Sequence, residues 1–425
     1  MGFDNRAPVM REWDWQAVPV QGRIPEGVRG MLYRNGPNPL KASADAHWFM
    51  GDGMIHGFRI GAGGVAYANR WVRTAQWADA SGEHGEKRPE GLANTNILVH
   101  ANRLLALEEQ HLPVAIDQAT LATQGAVDFA GELPAGPFTA HPKHDPRTGE
   151  LLFFGYGADG FFNPTIRIGS VDAAGRVTRC ETAQAPYAAV VHDFAVTDRF
   201  VLIPLFPLIA DPAVGVVWRP ASGGYLGVMD RQMGAASLRW VPAPAGFAFH
   251  VMNAWDEDGV VSIDMMVSAA PPFFPGPSGA DPDAEVSRLT RWTLDVRNPH
   301  AMVASRRLSE LDGEFPRMDE RFAGGRHRHG WFTTGSAVCH RDEADGRERL
   351  FQLPPGDTVS EPVFVAGGEA EGDGWLLAVV FRQETLCSEL VILDARDVAA
   401  GPVGRALLGC RVPDGFHGNW VGAGS

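Results

Sequence analysis

Short apolar runs, closed off by Gly, Pro, Asp or Asn, recur along the whole chain. Leu151-Leu152-Phe153-Phe154, Phe200-Val201-Leu202-Ile203, Val260 to Val267, Trp375 to Phe381 and Leu390-Val391-Ile392-Leu393 are examples. Runs of roughly four to eight residues between turn residues read as strands, and the longer 3.6-residue periodicity of amphipathic helices is hard to find. Asp145-Pro146-Arg147-Thr148-Gly149-Glu150 and Asp256-Glu257-Asp258-Gly259 have the composition of hairpin turns between such runs. The 50 Gly and 31 Pro among 425 residues follow no G-x-y period, so they mark turns rather than a collagenous or low-complexity chain. From residue 30 onward no linker-like break interrupts the pattern. It predicts an all-β fold in one domain over 1–425, with 1–25 as an extended N-terminal segment.

Three stretches depart from the pattern. Residues 78–90 are polar and read as a surface loop. Residues 270–284 carry Pro271, Pro272, Pro275 and Pro277 around Phe273-Phe274 and read as a loop with exposed aromatics. Phe200 to Trp218 is apolar, but Pro204, Pro207, Asp211 and Pro212 break it too often for a bilayer-spanning helix. It reads as a buried strand followed by a loop, with a peripheral membrane contact as the alternative. The net charge of −14 argues against nucleic acid as a main partner, because phosphate binding needs a basic face. Any membrane contact would therefore be hydrophobic rather than electrostatic. Lys41, Lys87 and Lys143 are the only lysines, which leaves few candidates for amine nucleophiles. Cys180, Cys339, Cys387 and Cys410 are scattered without a C-x-x-C pair, so neither a zinc ribbon nor a disulfide framework is indicated. The first residues lack a signal-peptide pattern. The simplest expectation is a reduced, cytoplasmic, soluble protein.

Four of the 14 histidines lie in or beside strand-like apolar runs: His141, His192, His250 and His417. From 141 to 192 is 51 residues, and from 192 to 250 is 58. Glu314 and Glu361 divide the remaining interval into steps of 64, 47 and 56. One polar residue in every ~55 is what a radial repeat would give if each unit's innermost strand contributed one residue to a common axis. Seven β-propeller blades of about 61 residues each would account for the length. Four imidazoles on such an axis suit Zn, Cu, Fe or Ni, with carboxylates behind them fixing the tautomers. A propeller axis lined by hydrogen-bonded His and Glu without metal has the same spacing.

The residues also resemble a known family, the carotenoid cleavage oxygenases, which include stilbene- and phenylpropanoid-cleaving bacterial members. The likeness begins at Val28-Arg29-Gly30-Met31-Leu32-Tyr33-Arg34-Asn35-Gly36-Pro37-Asn38-Pro39 and His47-Trp48-Phe49-Met50-Gly51-Asp52-Gly53-Met54. It continues through Asn94-Thr95-Asn96, the four His contexts, Glu314-Phe315-Pro316-Arg317-Met318-Asp319, Glu361-Pro362-Val363-Phe364-Val365, Ser388 to Ala395 and Phe416-His417-Gly418. The resemblance implies a seven-bladed propeller with loops capping an axial Fe(II), held by His141, His192, His250 and His417. It implies three glutamates orienting histidines, namely Glu314, Glu361 and, by its place in a Leu-x-Leu-x-Glu pattern, Glu109. The implied chemistry is insertion of both atoms of O2 across a conjugated C=C bond to give two carbonyl products.

An apocarotenoid or related alkene is the first expectation for the substrate, with an aryl-alkene (stilbene or isoeugenol type) as the alternative. Glu108, Phe49 and Phe249 are the candidate substrate contacts. Relatives that cleave 4-hydroxystilbenes typically carry Lys where this chain has Glu108, a departure that favours a different substrate end group. Glu108 reads equally as a solvated loop residue. His327 and His329 sit among arginines and read as structural, and His47 and His56 as locally bonded. No Walker loop, G-x-S-x-G elbow, H-E-x-x-H or post-strand G-x-G-x-x-G is found. A redox-inert metal hydrolase or isomerase, and a non-catalytic propeller scaffold, remain as alternatives to the oxygenase.

Overall fold

Asp258 and Gly259 both hold positive φ, 50° and 75°, the backbone that a two-residue primed hairpin turn requires. They join Phe247–Glu257 to Val260–Ser268 with Glu257 opposite Val260. The same logic of short strand, tight turn and antiparallel return builds the rest of the chain. The computed structural model describes residues 4–41, 47–83, 87–274 and 286–423.

Among these residues, strands assemble into seven antiparallel sheets of four or more members. They are the blades of a seven-bladed β-propeller. The second to sixth blades are meanders running from Asn96–His100, Lys143–His144, Ala195–Val196, Phe247–Glu257 and Glu314–Met318, each of these strands lying at one edge of its sheet. The first blade runs Trp13–Val18, Gly64–Trp71, Gly53–Gly61, Gly30–Pro37, Gly418–Gly422. Its last strand therefore comes from the far end of the chain, with Leu32 opposite Trp420. The seventh blade likewise pairs Val20–Gly22 with Pro402–Leu407. Within the N-terminal segment, Trp13–Val18 and Val20–Gly22 are thus strands, each tied into a blade.

By internal contact the chain divides into two compact units, Phe129–His327 and a second made of Met1–Asp128 with Arg328–Ser425. The first holds the third, fourth and fifth blades and the strand Glu314–Met318. The second shows how blades stack. On Gly30–Pro37, Leu32 points into a cluster with Phe58, Leu377, Leu390 and Ile392, while its neighbour Tyr33 joins Ile55, Ile97 and Leu104. Successive side chains face opposite sides of a strand, so a single strand seals two inter-blade layers. A third layer joins Trp331 and Val338 to Leu376 and Val391.

Two expectations need revision. The start of the polar stretch 78–90 is the end of an α-helix, Ala75–Ser81, capped by Thr74, whose hydroxyl accepts the Trp77 N–H at 3.2 Å. Seven residues are too few to register as helical periodicity. Residues 84–86 of that stretch lie outside the described set. Phe200–Trp218 contains the expected strand, Phe200–Leu205, but continues as a second hairpin, Leu208–Asp211 with Gly215–Trp218. In 270–284, Phe273 is exposed, while Pro275 and Pro277 lie outside the described residues.

Candidate metal centre

In the Phe129–His327 unit, His141 and His192 each lie two or three residues before the edge strand that opens their blade, and His250 lies inside the next one. His141 Nε2 is 2.9 Å from His192 Nε2, which is 3.3 Å from His250 Nε2. His250 Nδ1 donates to Glu314 Oε2 at 2.7 Å. The next residue, Phe315, adopts a left-handed φ of 55°, a conformation costly for an aromatic residue and typical of functional sites. Phe315 itself stacks on the His250 ring, centroids 5.3 Å apart.

Asp193, beside His192, braces all three histidine segments. Its carboxylate accepts Lys143 Nζ at 2.7 Å, the Phe194 N–H at 2.7 Å and the Val251 N–H at 2.8 Å. The lysine of His141-Pro142-Lys143 thus holds its segment to the next blade.

In the other unit, His417 directly precedes Gly418–Gly422. Its Nδ1 donates to Glu361 Oε1 at 2.9 Å, and Gly418 N–H donates to Oε2 at 2.8 Å. The His417 carbonyl accepts Asn35 N–H at 2.9 Å, and its N–H donates to the Thr95 carbonyl at 3.2 Å. Asn35 is anchored in turn, its side-chain amide donating to the Ala93 and Asn96 carbonyls at 2.8 and 2.9 Å. A Cβ at Gly36 would sit 2.5 Å from Gly415 Cα, so the Arg34-Asn35-Gly36 segment is a close-fitting cradle for the strand entry that carries His417.

One ring nitrogen from each of His141, His192, His250 and His417 lies within 4.8 Å of the others. For His250 and His417 a carboxylate accepts the hydrogen bond of Nδ1–H, which holds the proton of the neutral ring on Nδ1 and leaves the lone pair on Nε2. Lone pairs converging at these distances are what a shared cation satisfies, so the donor set fits a metal ion with neutral nitrogen ligands.

Glu109 follows Arg103–Leu107 in a half-buried loop. Glu108 pairs with His111 Nδ1 and accepts the Gln110 N–H at 2.8 Å; its hydrogen bond raises the His111 pKa above the ordinary value. Phe249 sits edge-on to His192, centroids 5.2 Å apart. Phe49 sits edge-on to Phe416, the residue before His417, at 5.4 Å. His56 contacts the Tyr67 hydroxyl at 2.9 Å, and His47 accepts the Phe49 N–H at 3.3 Å, both local bonds. His327 lies by Asn253 at 3.2 Å, and His329 contacts His340 at 3.0 Å; neither belongs to the group of four histidines.

Residues 6–422 match the model of the family described as "Retinal pigment epithelial membrane protein". The chain belongs to the carotenoid cleavage oxygenase family. Among curated relatives, isoeugenol monooxygenase of Pseudomonas nitroreducens is 35% identical over 97% of this chain and 96% of its own. Apocarotenoid-15,15'-oxygenase of Synechocystis sp. is 29% identical over 97% and 94%. The crystal structure of Pseudomonas brassicacearum lignostilbene dioxygenase superposes with a TM-score of 0.93 at 31% identity, covering 98% of this chain and 97% of that one. This chain is therefore an enzyme, an alkene-cleaving oxygenase of the carotenoid-cleavage type.

Sequence reasoning about this oxygenase did not single out Asp193, Asn35 or Phe315 as part of the site. The signals were present: an Asp directly after a candidate ligand, and an Arg-Asn-Gly motif with no other assigned task. Their function depends on partners that only the folded chain brings alongside.

Proposed function

We propose that this oxygenase holds a non-haem Fe(II) on His141, His192, His250 and His417 and cleaves the conjugated C=C bond of an aryl-alkene with O2, giving two carbonyl products. The observation that carries the reading is the convergence of four imidazole nitrogens within 4.8 Å. Imidazole nitrogen is a good ligand for iron, and four such ligands leave open positions in an octahedral shell.

Bound iron would supply the redox chemistry that activates O2. The chain's own residues do the rest. Glu314 and Glu361 hold the Nδ1 protons of His250 and His417 and so keep Nε2 of each ring available and correctly aimed. Glu109 is proposed to do the same for another of the four rings. Because all four ligands are neutral, the carboxylates behind them supply the only negative charge in this set. Phe315 on His250 and Phe249 on His192 present apolar faces that exclude water and suit a flat conjugated substrate. Phe249, with Phe49 beside Phe416, is a candidate substrate contact. Glu108 would enter only for a substrate polar group able to compete with His111. The propeller is proposed to act as a single domain, with loops closing over the metal.

An aryl-alkene substrate, in place of the first expectation of an apocarotenoid, is supported by the order of similarity: 35% to an isoeugenol monooxygenase against 29% to an apocarotenoid oxygenase. No helix among the described residues is long and apolar enough to cross a membrane. A cytoplasmic location with a weak peripheral contact belongs to the same proposal, because Val214 and Phe273 are 64% and 50% exposed and a lipophilic substrate favours such a contact.

The test is an iron-loaded preparation offered isoeugenol-type alkenes, 4-hydroxystilbenes and apocarotenals, with product masses read under ¹⁸O2. The expected result is two labelled carbonyl products from an aryl-alkene. Cleavage of apocarotenals alone would overturn the substrate class. An iron-replete enzyme that consumed no O2 with any of them would overturn the reaction.

A further inference from the structure

Leu408 to His417 contains no strand; it joins Pro402–Leu407 to Gly418–Gly422, the strand that closes the first blade. Buried backbone groups in such a segment need partners outside a sheet ladder, and those partners decide where His417 comes to rest. Near the middle of the segment they come from the N-terminal residues. The Asn5 side-chain amide, in a residue 5% exposed, donates to the Val412 carbonyl at 3.2 Å and to Asp414 Oδ1 at 2.6 Å. The Asp414 N–H donates back to the Asn5 carbonyl at 3.1 Å.

The residues around Asn5 are held against the same segment. Arg411 donates from Nη1 to the Asn5 and Ala7 carbonyls at 3.2 and 2.6 Å, and from Nη2 to the Pro8 carbonyl at 3.0 Å. Asn38 exchanges two bonds with Val9, accepting its N–H and donating to its carbonyl, both at 2.8 Å. Arg6 lies 6.0 Å from the Trp48 ring centroid, and Trp48 packs on Phe416 with centroids 4.8 Å apart. Two residues beyond Asp414, the Phe416 N–H meets the Asn35 carbonyl at 3.0 Å, and His417 follows directly.

We infer that Asn5 is a positioning residue for His417: through Val412 and Asp414 it fixes the path of the segment that delivers this imidazole and Phe416. An amide suits the task, because it donates to a carbonyl and a carboxylate together without burying a charge of its own. The metal-binding consequence rests on His417 being a ligand, as proposed above. The positioning itself does not.

The test uses the full chain without metal, with Co(II) as the titrating probe and backbone hydrogen exchange as a second readout. N5A, which loses both side-chain bonds, is expected to bind Co(II) about tenfold more weakly, the worth of one or two buried hydrogen bonds. N5D, which sets a carboxylate against Asp414, should also lose affinity. N5D/D414N, which restores that bond with donor and acceptor exchanged, should bind more tightly than N5D. The control is N69A. Asn69 is another buried amide that holds the N-terminal region, accepting the Trp13 N–H at 2.7 Å and donating to the Arg11 carbonyl at 3.0 Å. N69A should lower the melting temperature of the metal-free protein yet keep the Co(II) affinity of the parent. Exchange at the Asp414 and Phe416 amides should quicken in N5A and not in N69A.

Unchanged Co(II) affinity in N5A would overturn the inference. So would an equal loss in N69A, which would make the effect one of general stability, or a double variant that binds no more tightly than N5D. If N5A fails to accumulate, N5D against N5D/D414N decides alone, and accumulation of the double variant without N5D also supports the pairing. Failure of the unaltered protein to bind Co(II) would count against the metal reading of His417. Hydrogen exchange would then still decide the positioning: equal rates at Asp414 in N5A and N69A would overturn it.

Discussion

Lys143 and Asp193 form an ion pair, Nζ to Oδ1 at 2.7 Å, that joins the segment behind His141 to the one behind His192. The other carboxylate oxygen accepts the Val251 N–H next to His250. One buried side chain therefore ties together three candidate ligand segments from three consecutive blades. Its geometry explains why an Asp directly after a candidate ligand histidine need not be a ligand itself.

Replacing Asp193 with Asn should leave the Lys143 ammonium without its counter-charge and one donor group poorly matched. We expect a loss of roughly 2–4 kcal/mol, the range for breaking a buried pair reduced because Lys143 keeps 22% side-chain exposure. Urea unfolding of the metal-free protein measures this. Metal content should fall in parallel, since the three rings lose their common brace. A D193N protein with the stability of the parent would contradict the role.

E361Q and E314Q both keep shape while weakening the bond to a histidine Nδ1. Each should reduce metal affinity by about 10–100-fold, with the larger loss in E361Q. The reason is burial: the Glu361 side chain is 2% exposed and Glu314 is 29%, and water can replace part of what Glu314 supplies. Equilibrium Co(II) titration gives the order. The reverse order would show that burial does not control the strength of these contacts.

The one-per-blade spacing made His141, His192, His250, His417, Glu314 and Glu361 legible, because a strand-edge position recurs with the length of the blade whatever the loops do. All six lie in, or within three residues of, the edge strand of their own blades. Glu109 does not follow that rule, since it comes after the second strand of its blade; the residues point to the Glu108-Glu109 pair, and only the family resemblance chose Glu109 from it. The supporting groups were not legible at all. Asn35 braces His417 from 382 positions away, a relation that exists only because the first blade is closed by the C-terminal strand. The helix at Ala75–Ser81 was missed for a different reason: fewer than two turns bury only one side chain of any size, Trp77.

Glu108 is tied to His111 and the Gln110 N–H, which bears on its candidacy as a substrate contact. In E108A the His111 pKa should move down, because the Glu108 hydrogen bond is the foremost cause of its elevation; NMR titration of the His111 ring reads this. Metal content should remain that of the parent, as Glu108 bonds to none of the four histidines. A fall in bound metal would place this loop in the metal site after all.

His340 is buried against Trp331, with its Nε2 at 3.0 Å from His329 Nδ1. Burial, followed by the neighbouring His329, depresses its pKa from 6.5 to about 4, and burial lowers that of His329 as well. A base with a depressed folded-state pKa favours the folded state while neutral, so its contribution is complete above the unfolded value near 6.5. It is lost as pH falls toward 4, because the unfolded chain then binds a proton that the folded chain refuses. The loss across that window is on the order of 3 kcal/mol for His340 alone. Urea midpoints between pH 7 and pH 4 should therefore fall steeply in the parent and less steeply in H340Q, whose amide can still meet His329 but does not titrate. Parallel slopes in the two proteins would mean that His340 is already protonated in the folded state, or that its environment is wetter than its burial implies.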